Sequence, residues 1–484
     1  MAANPLPTET ESKTVTLSLI SHTNAGKTTL ARTLLRRDVG EVRDAPHVTL
    51  FNEEYRLLEA EGCSLRLWDT PGFGDSARLL KRLRRERNPL LWLLSQSWDR
   101  ITDRPLWCSQ QALKNVREEA DVVLYLVNAG EPPEAASYIA PEMEILGWLK
   151  RPVLVLLNQS GQPRAPELER AEVEAWRRHL AQWEHVGAVL SLDAFARCWV
   201  QEDRLMETLE ALMPEQQKPA FRILKKAWAE RNRTIFDDAQ RLLGELLTAA
   251  VLDGEPVRAE TLLERVGIGR QEINAEYTEA RRLLAERLAD RVERTTNSLI
   301  LLHGLEGQTG RMRTSTLSRD FQTPEKVSES IWGVLGSFAG GAMGGLIADL
   351  KAGGLTFGGG ALLGGLISGG AAYAVIRSYN LVRGGDEKLH WSREHFREQT
   401  RLSVLCYLAV AHFGRGRGAW QDSEQPEHWR DAVDQVAARH QDGIDLLWKG
   451  GVEGQLSPED LSRDARRLML SLSGQVLHDL YGRV

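Results

Sequence analysis

The chain has 484 residues, 42% of them apolar and 26% charged, with a formal net charge of −6. That length is a prior for two to four domains of ~150 residues, and the balance excludes wholesale disorder, collagen and a protein made mostly of membrane spans. A mildly acidic whole leaves any nucleic-acid or lipid site to a local patch. The four separated cysteines, without CxxC or Cys/His metal spacing, fit free thiols in a reducing compartment. Residues 1–13 are polar and acidic, with no apolar core that would serve as a secretory signal.

In chain order the sequence divides into four blocks. Residues 14–215 alternate short apolar runs (15–20, 64–68, 122–127, 153–157) with helical patterns, which predicts an α/β domain with a mostly parallel sheet and helices on both faces. Pro214 and the polar run to Pro219 mark a boundary. Residues 219–320 carry apolar side chains at helical spacing, as in 279–294, and read as a helical domain. Residues 323–382 hold about a third of the 42 glycines, and residues 384–484 are helical again. The expected architecture is this α/β domain followed by an all-α C-terminal region.

The run 15–20 leads into Ser21-His22-Thr23-Asn24-Ala25-Gly26-Lys27-Thr28-Thr29 and then a helical pattern. This is GxxxxGK[ST] with Ser21 in place of the first glycine, so the α/β domain is expected to be a P-loop NTPase domain. Backbone N–H groups of such a loop wrap a β-phosphate at a helix N-terminus. Lys27 would bridge the β- and γ-phosphates, and Thr28 would place its hydroxyl on Mg²⁺. A second strand pattern ends in Asp69-Thr70-Pro71-Gly72. Asp69 would hold Mg²⁺ through water, and the Gly72 N–H would sense the γ-phosphate. Between them, Pro46-His47-Val48-Thr49 is a candidate first switch, with Thr49 capping Mg²⁺ in the triphosphate state. Lys27, Thr49 and Gly72 are thus the candidate catalytic residues, and Thr28, Thr49 and Asp69 the metal ligands.

With these motifs the first 200 residues or so resemble the Era-like and TrmE-like GTPases of the translation-factor class. Asn24, Gly26, Lys27 and Thr28 match that group's GxxNxGK[ST], while its PGTT switch is matched only at Pro46 and Thr49. The whole layout looks like a bacterial family of GTP-binding proteins that end in a domain of unknown function. The resemblance implies GTP and GDP as ligands, bound by Ser21, Asn24, Ala25, Gly26, Lys27, Thr28 and Thr29, with Asn158 and Ser191 on the base side. Its guanine-reading NKxD becomes Asn158-Gln159-Ser160-Gly161 here, so the carboxylate that pairs with the base edge is missing. After Gly72 comes Phe73 in place of a water-orienting glutamine, which the resembled group also lacks. In its TrmE-like members the loop asparagine binds K⁺ on homodimerisation. Asn24 either does this, giving slow hydrolysis stimulated by K⁺, or only braces the loop.

Two further segments bear on partners. Residues 78–87 (Arg78, Lys81, Arg82, Arg84, Arg85 and Arg87 among leucines) read as a basic amphipathic helix just past the second switch motif. It either packs on the domain with a solvated basic face or meets phosphates of lipid or RNA. Residues 331–348 and 352–376 are uncharged and each is long enough to cross ~30 Å of hydrocarbon. Gly336, Gly340 and Gly344, like Ala361, Gly365 and Gly369, recur every four residues, giving stripes for close helix packing. The hairpin either enters a membrane or packs inside the C-terminal domain. The expected function is a GTP-hydrolysing switch or mechanoenzyme at the cytoplasmic membrane. The alternative is a soluble Era-like GTPase that binds RNA or ribosomes, against which stands the lack of KH, RNP or basic-stripe patterns.

Overall fold

The computed structural model describes residues 13–36, 52–89, 91–92, 103–159, 166–192, 198–257, 270–305, 381–383, 388–413 and 426–482. The chain divides into two compact units, residues 1–233 with 413–416, and residues 234–412 with 417–484. Pro46, Thr49, Ser160, Gly161 and the two uncharged glycine-rich runs lie outside the described residues.

The first unit is built on six strands: β1 (Lys13–Ser21), β2 (Glu53–Ala60), β3 (Cys63–Asp69), β4 (Val122–Asn128), β5 (Val153–Asn158) and β6 (Val186–Ser191), in the order β2-β3-β1-β4-β5-β6. All pairs are parallel except β2 with β3. The strand β4 reads VVLYLVN and β5 reads VLVLLN, runs with no alternation because helices cover both faces of a parallel sheet. The helices α1 (Lys27–Leu35), α2 (Ser76–Leu83), α3 (Arg104–Glu118), α4 (Ile139–Leu149), α5 (Pro166–Leu180) and α6 (Trp199–Leu212) supply the cover. One face packs Val123, Tyr125, Val155 and Leu157 against Leu79, Leu113, Met143 and Trp176. The other packs Leu17, Leu65, Leu124 and Leu156 against Leu30, Leu205 and Trp228. Burying each such side chain contributes about 1.5–3 kcal/mol, so the two layers dominate the stability of the sheet.

The antiparallel edge strand β2 is not announced by an apolar run in the sequence. Its EEYRLLEA pattern is half exposed and fully buries only Leu57, so it carries no apolar period to announce it. The basic segment is helical only over Ser76–Leu83, not to residue 87. Leu79, Leu80 and Leu83 are buried, and the helix ends where that apolar stripe ends. Asp75 caps it, accepting from the Arg78 N–H at 2.9 Å.

The helix α7 (Lys218–Leu252) leads into the second unit, which holds β7 (Gly254–Pro256), α8 (Arg270–Leu302), β8 (Leu381–Arg383), β9 (Lys388–Trp391), α9 (Arg393–Ala411), α10 (Glu427–Arg439), α11 (Gln441–Val452) and α12 (Pro458–Tyr481). It is helical, with a small antiparallel sheet ordered β7-β9-β8 that three- and four-residue strands leave unmarked in sequence. Leu284 and Leu288 of α8 pack with Leu246, Leu389 and Trp391. Asp253, nearly buried, is held by Arg287 and Arg291, which neutralise its charge. Among the described residues no helix is long and apolar enough to cross a membrane, and all four cysteines are free and buried.

Candidate functional site

The loop between β1 and α1 lies at the C-terminal edge of the parallel strands, where ligands meet a sheet of this kind. Gly26 takes φ +87° to turn the chain into α1, and a Cβ there would come within 2.6 Å of Asn158 Nδ2. Both the conformation and the close approach require glycine. Asn24 also has positive φ, +66°, and is exposed. Asn158, at the end of β5, donates from Nδ2 to Ala25 O at 2.8 Å, so the base-side strand braces the loop. Gln159 donates to Asn24 O at 3.2 Å. It occupies the place where the resembled group has lysine, lying across the loop without the charge. Ser191 closes β6 opposite Leu157, and Thr29 is buried in α1.

Three sequence-predicted residues meet at the head of α1. Lys27 is buried and its Nζ donates to Ser21 Oγ at 2.9 Å. Burial lowers its pKa, against the opposing fields of Asp69 and Glu142. Thr28 Oγ1 donates to Asp69 Oδ2 at 2.5 Å. Asp69 is fully buried and its Oδ1 has no hydrogen-bond partner. Burial raises its pKa to about 6, opposed by Lys27 and the Thr28 hydrogen bond. A buried carboxylate oxygen left without a donor is costly, and beside a threonine hydroxyl it is the donor set a hard, oxygen-seeking divalent cation takes. These residues fit Mg²⁺. Among the described residues there is no cluster of three His, Cys, Asp or Glu that would hold another metal.

The second switch motif packs directly on the loop. A Cβ on Gly72 would meet Lys27 Nζ at 3.1 Å and Thr23 Cα at 3.2 Å. Phe73 donates its N–H to Ser21 O at 2.8 Å and accepts from Thr23 Oγ1 at 2.6 Å. The Phe73 ring is fully buried in the core, which removes it from the phosphate side. Sequence reasoning missed a group behind this contact: His22 Nδ1 lies 2.7 Å from Glu142 Oε1, and Tyr125 OH donates to Glu142 Oε2 at 2.6 Å. The signal was present. Glu142 falls on the apolar stripe of α4 with Ile139, Met143 and Leu146, where a carboxylate needs a buried partner.

A family model described as a 50S ribosome-binding GTPase matches residues 16–159. One described as a domain of unknown function, DUF3482, matches residues 177–464. No protein of curated function matches the chain. Among solved structures, Era in complex with MgGDPNP and nucleotides of 16S ribosomal RNA is 13% identical at a TM-score of 0.31, over 60% of this chain and 90% of that one. An Aquifex aeolicus Era variant bound to GDP and AlF4− is 14% identical at a TM-score of 0.29, with the same coverages. A bacterial selenocysteine-specific elongation factor, EF-Sec, is 16% identical at a TM-score of 0.26, over 41% of this chain and 28% of that one.

Proposed function

We propose, from the premise that the chain belongs to the DUF3482 family and carries an Era-like P-loop GTPase domain, that it is a slow, Mg²⁺-dependent GTP switch or mechanoenzyme acting at the cytoplasmic membrane. One observation carries the switch reading: the buried Asp69, its Oδ1 without a partner, stands beside Thr28 and Lys27 under a second switch motif packed on the loop. Bound there, Mg²⁺ would neutralise charge between the β- and γ-phosphates. Thr28 and Asp69 would hold it, Lys27 would carry the phosphate charge, and the peptide of Gly72 would read the γ-phosphate.

Slow turnover follows from Phe73, whose ring sits in the core and orients no water. Asn24, exposed at the loop, is the residue toward which K⁺ would bind, with a second copy of the chain completing that site. The uncharged runs 331–348 and 352–376 support the membrane reading by length and composition. A second reading, RNA or ribosome binding, is favoured by exposed Lys81, Arg85 and Arg87 beside the switch, although Asp103 pairs with Arg78 and Arg82, and Glu144 with Arg84.

The experiment is GTP hydrolysis by the full chain in KCl and in NaCl, together with flotation on liposomes with GTP, with GDP and after deletion of residues 332–376. Stimulation by K⁺ and loss of flotation on deletion are expected. Equal rates in both salts would remove the potassium reading. Failure of the full chain to float, with capture of RNA instead, would replace the membrane reading by the second.

A further inference from the structure

The group behind the nucleotide loop ties three elements to one carboxylate. Glu142, on α4, is fully buried. It takes the His22 imidazole from the loop at 2.7 Å and the Tyr125 hydroxyl from β4 at 2.6 Å. The buried Ser76, the first residue of α2, lies beside the same carboxylate and favours its charged form. The His22 ring is fixed from its other side by Tyr138, stacked at 4.5 Å with an 18° angle between planes. His22 itself forms the backbone bridge to Phe73, four residues after Asp69. So one end of the switch segment is bridged to the loop through His22 and Phe73, and the other starts at Ser76 beside the same carboxylate. Nothing in nucleotide binding accounts for this arrangement: none of its side chains belongs to the phosphate cradle, the metal pair or the base side.

We infer that Glu142 and His22 are positioning residues for GTP hydrolysis, locking the segment 72–76 onto the nucleotide loop so that the Gly72 peptide is held where the γ-phosphate is read. The physical reasons are geometric. Each oxygen of the buried carboxylate has one donor, and losing either would strand a charge in a dry site, so each donor is held in one place. Gly72 directly precedes the bridged Phe73, and only Gly74 and Asp75 separate Phe73 from Ser76, so the segment is too short to move far while it is tied. The Tyr125 hydroxyl, from the middle of the sheet, gives the carboxylate a rigid reference. Glu142 does not touch the reacting atoms and acts through His22 and Ser76.

The test uses the full chain. His22 is partly exposed, so His22→Ala leaves the core intact; Ser76→Ala removes the other anchor without touching the loop. Because misplacement of a reacting group by about an ångström costs up to ~100-fold, each variant is expected to lower kcat for GTP by ~10-fold or more. GDP affinity should stay within ~3-fold, since the phosphate cradle is untouched. Glu142→Gln serves as the conservative rescue: its carbonyl accepts from Tyr125, and its amide donates to the other tautomer of His22. It should turn over within ~3-fold of wild type, given that the same contacts survive. Wild-type kcat in both His22→Ala and Ser76→Ala overturns the inference. So does a loss of GDP affinity equal to the loss of kcat, which would make the group a brace for the loop alone. A Glu142→Gln enzyme as slow as His22→Ala would likewise overturn it, assigning the effect to the charge of Glu142 near Lys27.

Discussion

Replacing Gly72 by alanine isolates the closed switch. Gly72 is not at positive φ, so the substitution adds no backbone strain; its effect is steric. The new Cβ would stand 3.1 Å from Lys27 Nζ, 3.2 Å from Thr23 Cα and 3.4 Å from Thr23 N. The lysine tip can retreat, but the two Thr23 atoms are backbone of the phosphate loop and cannot shift without distorting it. Relief therefore falls on residues 72–76, which must lift by a few tenths of an ångström. Overpacking of this kind costs ~1–3 kcal/mol, and if only the closed arrangement bears it, hydrolysis slows by ~5- to ~150-fold. Nucleotide binding that does not need closure is spared. Single-turnover hydrolysis of GTP and titration with a fluorescent GDP analogue separate the two. A rate within twofold of wild type, or GDP affinity lost by the same factor as the rate, would refute the reasoning.

Thr28→Ala removes the hydroxyl that holds Asp69 Oδ2, and should raise the Mg²⁺ concentration for half-maximal hydrolysis by ~10-fold or more, read by Mg²⁺ titration at saturating GTP. Gly161→Asp supplies the absent base-edge carboxylate; competition between GTP and ITP should then shift toward GTP by up to ~100-fold. In the second unit, burial pulls the His395 pKa from 6.5 down to about 4, with its ring stacked on Trp391. The unfolded chain binds the extra proton between those values, so this contribution to stability is complete above pH 6.5 and falls as the pH drops toward 4. The loss reaches ~3 kcal/mol at the bottom of the window. Urea melts of wild type and His395→Phe between pH 7 and pH 4 should show a shallower slope in the variant.

What the residues determined by themselves was local and chemical. The loop Ser21–Thr29 could be read because phosphate binding demands glycine, lysine and a hydroxyl within one turn of a helix start. Asp69 and Gly72 could be read because they follow a buried strand at fixed spacing. The unbroken apolar runs of β4 and β5 announced a covered parallel sheet for the same reason: burial on both faces leaves no room for polar alternation. Tertiary structure decided what depends on partners distant in sequence. The edge strand β2 gains its identity only by pairing with β3, and the strands β7 and β9 pair Gly254 with His390 from far apart along the chain. Glu142 shows the difference most clearly. In sequence it is a carboxylate on the wrong stripe of a helix; folding places it 120 residues from His22 along the chain yet 2.7 Å away in space. A buried charge can only be understood with the donors that surround it, and their positions follow from how the layers pack, not from any pattern along the chain.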